Sequence, residues 1–320
     1  MGIKGYKAFG KELICNPDGI AKQYKEHTTF EEDGDVDLGP CRKGVMHFCE
    51  DPFDVLSAYP LVNSDGEITE FAEVEAVGDV RNYKDQSITN KLHIGAKLNL
   101  KGFVKACVDF TIEKTKFEID KDSDSDISSG DYAKIGSSGY SAQIGSSGYS
   151  AQIGSSGDLA KIGSSGYYAK IGSSGYSAQI GSSGYYAKIG SSGYSAQIGS
   201  SGYSAKIGSS GDLAKIGSSG YSAQIGSSGD YAQIGSSGDY AKITSEGKKS
   251  VVMAAGFDSM AKAKIGSWIT LAEWVRVNDD DKTIWKPKCV KTEYVDGEKI
   301  KEDTFYKLID GEFKEVKTND

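Results

Sequence analysis

YSAQIGSSGYSAQIGSSGDLAKIGSSG, residues 140–166, states one nine-residue unit three times, and what that unit can build decides the fold. From residue 131 to residue 247, thirteen such units follow one another without an insertion. The unit is Tyr/Asp, Ser/Tyr/Leu, Ala, Lys/Gln, Ile, Gly, Ser, Ser, Gly. Only the last departs, as DYAKITSEG, and KKSVVMAAG (248–256) is a further degraded copy. A helix is excluded, because each glycine costs about 1 kcal/mol against alanine in a helix interior. A flexible Gly/Ser linker needs composition alone, not an alanine and an isoleucine held in fixed register.

A strand and a turn fit. Residues 140–144 read as the strand: alternation puts Ala142 and Ile144 on one face and Ser141 and Gln143 on the other. Alanine and isoleucine never vary through the thirteen units, so they face inward. Gly-Ser-Ser-Gly then makes the corner, with glycine supplying positive φ. Each unit reverses the chain once, so two units close a coil of about eighteen residues. Thirteen units make six and a half coils, a rod of roughly 30 Å at about 4.8 Å per coil. No coil buries its own apolar side, so stacking supplies the stability and the ends need caps.

The remaining sequence supplies candidates for those caps. Residues 1–120 read as an α/β domain. GIKGYKAF is a first strand, and DPFDVLSAYP is a short helix capped by Asp51 with Pro52 at its first position. FAEVEAVG alternates as a half-buried strand, and LNLKGFVKACVDFTIEK carries helical spacing. Residues 121–130 read as an acidic hinge and 131–256 as the solenoid. Residues 257–320 read as a β-rich cap with hairpin turns at Asp296-Gly297 and Asp310-Gly311. The fold class is therefore mainly β: a central β-solenoid between an α/β N-terminal cap and a β-hairpin C-terminal cap.

Composition narrows function. The chain has 320 residues and a formal net charge of -8, from 37 basic and 45 acidic residues, which argues against general phosphate binding. No apolar run approaches the about 20 residues of a membrane span, and MGIKGYKAFG lacks a secretory core. Five scattered cysteines (Cys15, Cys41, Cys49, Cys107, Cys289) point to free thiols in a reducing cytoplasm.

Alternate units fall on opposite faces of an eighteen-residue coil. One face carries Lys134, Gln152, Lys170, Lys188, Lys206, Gln224 and Lys242, with Tyr132, Tyr168, Tyr186 and Tyr240 beside them. The other carries Gln143, Lys161, Gln179, Gln197, Lys215 and Gln233. The more basic and aromatic face is the expected partner-binding surface: Lys134, Tyr168, Lys170, Tyr186, Lys188, Lys206, Tyr240 and Lys242. Calcium β-roll repeats also pair nonapeptides. Here aspartate opens only five units (Asp131, Asp158, Asp212, Asp230, Asp239), too few for a calcium ladder.

In the N-terminal region Cys41, Lys43, His47, Cys49, Glu50 and Asp51 form the densest reactive cluster. It has no Cys-x-x-Cys pair and no fourth ligand for zinc, so no metal or cofactor is expected. His47 and Cys49, two apart on a strand, share a face without facing each other. A short helix ending near Tyr59, followed by a strand bearing Glu73 and Glu75, loosely resembles ADP-ribosyltransferase-like folds. It lacks their His-Tyr-Glu or Arg-Ser-Glu set.

GYKAF, CRKGVMHFCEDPFDV and FAEVEAVG, followed by Gly/Ser/Ala-rich repeats and the tail GSWITLAEW…VDGEKIKEDTFYKLIDGEF, together resemble an uncharacterised family of bacteriophage and prophage proteins. The resemblance spans the chain. It implies a capped solenoid of phage origin, and a role in binding a host or defence component. The expectation is a non-enzymatic scaffold with a protein partner or a second copy of itself. The alternatives are a small-ligand or nucleotide binder in the capping domains, or the transferase-like enzyme.

Overall fold

The structure, a computed structural model, describes residues 2–15, 21–38, 44–62, 68–83, 85–115, 125–128, 130–279 and 282–316. It is 48% strand and 10% helix, and residues 134–271 form a β-solenoid of about 8 turns with about 18 residues per coil. Alternate units enter two ten-stranded sheets. One sheet holds Ser125–Ser128, Gln143–Ser146, Lys161–Ser164 and their successors through Val251–Ala254. The other holds Lys134–Ser137, Gln152–Ser155, Lys170–Ser173 and so on through Met260–Lys262. Pairing is parallel and in register, each residue beside its counterpart eighteen positions on, as in Ile144 with Ile162 and Gly145 with Gly163.

The strand frame differs from the sequence expectation. The strand is Lys/Gln-Ile-Gly-Ser, and the corner is Ser-Gly-Tyr-Ser-Ala or its equivalent. Alanine and isoleucine do face inward, joined by the first serine: Ser155, Ser173, Ser191 and Ser209 are fully buried. Their hydroxyls have no partner among the described residues. The glycine ending each unit does not supply the positive φ. That falls on the second residue of most units, for example Leu159 (57°), Ser177 (53°) and Tyr186 (55°). Left-handed backbone costs a non-glycine residue about 1 kcal/mol or more. Each is held by a bond from its own N–H, as from Ser177 to the carbonyl of Tyr194 at 2.8 Å. The final glycine answers a different demand. A Cβ on Gly202 would overlap the carbonyl oxygen of Gly184 one coil below, and the same holds from Gly157 to Gly256 along both corners.

The first position alternates between tyrosine and aspartate because two contacts can hold the same corner. Tyr149, Tyr167, Tyr185, Tyr203 and Tyr221 stack ring on ring, with centroids 5.1–5.8 Å apart. Each aspartate instead accepts the backbone N–H eighteen residues on: Asp131 from Tyr149, Asp158 from Tyr176, Asp212 from Asp230, Asp230 from Lys248 and Asp239 from Phe257, at 2.7–2.9 Å. These carboxylates are engaged by the backbone of the next coil.

The solenoid is longer than the repeats. Ser125–Ser128, inside the stretch expected as a hinge, already pairs with Gln143–Ser146. Beyond the array, Met260–Lys262 and Trp268–Leu271 add further rungs. The C-terminal end is closed by hairpins. Trp268–Asp279 pairs with Lys282–Tyr294, and Tyr306–Ile309 turns at Asp310-Gly311 (φ 53° and 73°) into Glu312–Glu315. Asp296-Gly297 is not a hairpin turn. The Asp296 carboxylate accepts from the backbone of Glu298 and Ile300 and folds a loop.

The N-terminal domain is built on a four-stranded antiparallel sheet in the order Ile3–Phe9, Glu70–Ala76, Lys91–Leu98, Thr28–Glu31. Two helices follow expectation: α1 (Pro52–Ala58), capped by Asp51 accepting from Phe53 N–H at 2.9 Å, and α2 (Leu100–Thr115). Rather than closing the end of the rod, this domain lays both helices along one sheet.

Coil-on-coil contact predicts opposite outcomes for two glycines of one unit. Gly202→Ala should lower the thermal midpoint by several degrees, since backbone must move to admit the methyl. Gly199→Ala, whose Cβ meets nothing within 4 Å, should be neutral or stabilise by about 0.4–1 kcal/mol. Circular-dichroism melts of the two variants check this.

Candidate functional site: two glycine-floored grooves

The sixth residue, glycine in every unit but the last, where it is Thr244, points outward from the strand. It gives each sheet a floor without side chains, lined on one side by the Lys/Gln row. Six glycines pave each floor: Gly136 to Gly226 on one sheet and Gly145 to Gly235 on the other. On the first, α2 fills the groove. Cβ atoms built on successive glycines would meet Thr115, then Thr115 and Ile112, then Thr111 and Val108, Val108 with Phe53, Val104, and finally Leu100 with Leu61. An α-helix rises about 5.4 Å per turn and coils stack about 4.8 Å apart. Sixteen residues at about 1.5 Å rise span about 24 Å, the length of six rungs at about 4.8 Å, so about four turns of α2 cover the floor. Its stripe of Leu100, Val104, Val108 and Ile112 runs along the glycines from Gly226 to Gly154, with Val108 over both Gly190 and Gly172. Glycine inside a strand signals such a close approach; that cue lay in the invariant sixth position, which the sequence reading assigned to the corner.

The lysine row expected to meet a foreign partner is occupied by the chain's own α1. Lys170 Nζ lies 2.6 Å from carboxylate oxygens of both Asp51 and Asp54. Lys188, only 5% exposed, donates to the Phe53 carbonyl at 2.8 Å and to Ser57 Oγ at 2.7 Å. Lys206 donates to the carbonyls of Leu56 and Tyr59, and Gln224 Oε1 accepts from Leu61 N–H at 2.9 Å. These cations meet the carbonyl end of a seven-residue helix and the carboxylates at its start. Burial and the neighbouring Lys188 charge push the Lys206 ammonium down to about 8. Lys188 is lowered as well, again chiefly by burial. Lys170 is raised, because the two carboxylates outweigh its burial. Asp54 is raised by burial and by Asp51.

The other expected site residues scatter. Lys134 lines a crevice with Glu50, Asp51, Asp54, Asp85 and Lys114. Lys242 lies near Lys307 at the far end of the same sheet, and burial lowers it. Tyr168, Tyr186 and Tyr240 stand at the corner, not on the sheet. Tyr168 stacks on Tyr186 at 5.4 Å and Tyr240 meets Phe257 edge-on. The corner frame explains this, because the second residue precedes the strand.

In the N-terminal domain Cys49 bridges to Tyr6 through the backbone, and Lys7 Nζ donates to the His47 carbonyl at 2.8 Å. Burial and nearby Asp54 push the Cys49 thiol up to about 12. Glu73 and Glu75 pair with Tyr6 and Lys4 on the strand Ile3–Phe9, and Tyr6 pairs on its other side with Cys49. Cys41 and Lys43 lie outside the described residues.

Among the described residues the second groove has no such cover. Gly163, Gly181, Gly199 and Gly217 are exposed, as are Gln143, Lys161, Gln179, Gln197, Lys215 and Gln233 beside them. Cβ atoms on Gly199 and Gly217 would meet nothing within 4 Å, whereas the matching glycines of the first groove all meet the N-terminal domain. The open floor runs to Val251, Met253 and Thr270.

Residues 3–106 match a family described as a domain of unknown function (DUF7666), and the match stops inside α2. No curated protein and no solved structure matches the chain significantly. Among the described residues no helix is long and apolar enough to cross a membrane.

Two outcomes follow for the docked face. Lys170→Met leaves the largely buried Asp51 and Asp54 carboxylates with only Lys188, 3.9 Å from Asp54, so urea titration should show a loss of about 2–4 kcal/mol at pH 7, shrinking at lower pH as Asp54, raised by burial and by Asp51, takes up its proton. Lys206 titrates lower folded than unfolded, so its charge opposes folding below pH 8 and that penalty fades as pH rises. The stability of the wild type relative to Lys206→Met should therefore climb between pH 8 and 10, by at most about 1.4 kcal/mol per pH unit.

Proposed function

We propose that the protein is a non-enzymatic binding scaffold that presents the uncovered sheet of its solenoid to a protein partner. One observation carries the reading: the two sheets offer the same groove, and only one is filled by the chain itself. The N-terminal domain holds the first face through α1 and α2, which leaves the Gln143-to-Gln233 face as the presenting surface. That face carries two lysines and four glutamines in its flanking row, too sparse a positive charge to follow a phosphate backbone. A thiol at Cys49 that stays protonated at neutral pH supports the non-catalytic reading of the N-terminal cluster. In a bacterial cytoplasm, the host or defence component implied by the bacteriophage resemblance is the partner class assigned to this face.

The test compares affinity capture from bacterial lysate by the wild type, by Gly199→Arg on the open floor, and by Tyr203→Ser on the stacked corner. Bound protein should be lost from the floor variant and kept by the corner variant. Equal capture by all three refutes the assignment of the face.

A further inference from the structure

Taking that scaffold reading as its basis, we infer that the open groove takes an α-helix of a partner protein, lying along the rod as α2 does on the opposite sheet. The warrant is internal. Both grooves are built from the same Lys/Gln-Ile-Gly-Ser strands in the same register. Both floors are six glycines long. The first groove shows what such a floor accepts. It seats a helix of 16 residues, whose groove-facing stripe is Leu100, Val104, Val108, Thr111, Ile112 and Thr115, medium or small side chains, with the Phe53 ring of α1 reaching the floor at Gly190. The length of the floor, about 24 Å over six rungs, equals that of a 16-residue helix and belongs to the sheet, so it holds equally on the open face. An extended strand laid along the rod would place same-face side chains about 6.6 Å apart, out of step with the coils.

Charge narrows the occupant. On the closed face, Lys170 and Lys188 meet Asp51 and Asp54 beside the groove. On the open face, the flank holds Lys161 and Lys215 with glutamine at the other four array positions and no carboxylate. These lysines stand three coils apart, about 14 Å. On the complementary helix, two carboxylates that share that flank stand three turns apart, i and i+11, about 16.5 Å at about 1.5 Å rise per residue, within reach of both flexible lysines. The glutamines between them can donate and accept along the helix side, as Gln224 does for Leu61 N–H.

The experiment uses the full-length protein and two labelled peptides. The first carries the α2 sequence, residues 100–115. It is locked as a helix by a lactam between Lys105 and Asp109, which already pair on the solvent side of α2. The second adds two glutamates on one flank, eleven residues apart. Fluorescence anisotropy should show saturable binding of the first peptide and tighter binding of the second. Gly199→Leu should weaken both at least tenfold. Gly217→Leu serves as the second floor variant should the first alter the melting midpoint. Lys161→Gln with Lys215→Gln should abolish only the advantage of the second peptide.

Absence of saturable binding by either peptide overturns the inference, as does binding that floor substitutions leave unchanged, which would place the peptide elsewhere. Sedimentation that shows the wild type self-associating through this face, and Gly199→Leu as monomer, assigns the groove to a second copy and also overturns it. If lysate capture depends on the floor glycines while neither helix binds, the scaffold reading stands and the helical occupant falls.

Discussion

The array depends on one constraint: each corner carbonyl of a coil occupies the space that a side chain would need on the glycine eighteen residues later. Coils can approach to ladder distance only with that hydrogen in place. The in-register pairing follows, and it puts like residues in files along the rod. Isoleucine on isoleucine fills the core, ring stacks on ring at one corner, and aspartates catch the next coil's N–H where rings are missing. Each file repeats one weak contact many times, which suits a chain whose single units bury too little to stand alone.

The same spacing explains how the N-terminal domain is held. A helix laid across strands of a twisted sheet usually packs through side chains on both surfaces. Here the sheet contributes bare backbone, so the axis of α2 can come close and its β-branched stripe fills the floor. The lysine row then reaches past α2 to α1. A single residue type thus has two fates: solvated at Lys161 and Lys215, desolvated at Lys188 and Lys206, where burial depresses both ammonium groups.

Much of this was legible from the repeat alone. Period, pairing of units, inward alanine and isoleucine, and the division into two unequal faces all follow from alternation along a strand. So do the Asp51 cap and the Asp310-Gly311 turn, where local chemistry decides. Two readings failed for physical reasons. The strand frame slipped by three residues, because Gly-Ser-Ser-Gly satisfies the composition of a turn while serving as half a strand and half a corner. The basic face looked like a surface for a partner because sequence shows which side chains gather, not which part of the chain covers them. Asp51 and Asp54, more than a hundred residues earlier, are invisible to any periodicity. The glycine floors left one sign, the glycine recurring at the sixth position, which reads as a corner until the strand frame is known.

Eighteen-residue registry also governs how such a gene can change length. Loss or gain of one nonapeptide would exchange the sheets for everything downstream. Every later lysine would move to the opposite face, and the two C-terminal hairpins would arrive at each other's strand edges. Change by two units only lengthens or shortens the rod by one rung and keeps both faces in phase. The register thus sets a quantum of two units for the length of the rod, the step at which both faces and both ends keep their relation.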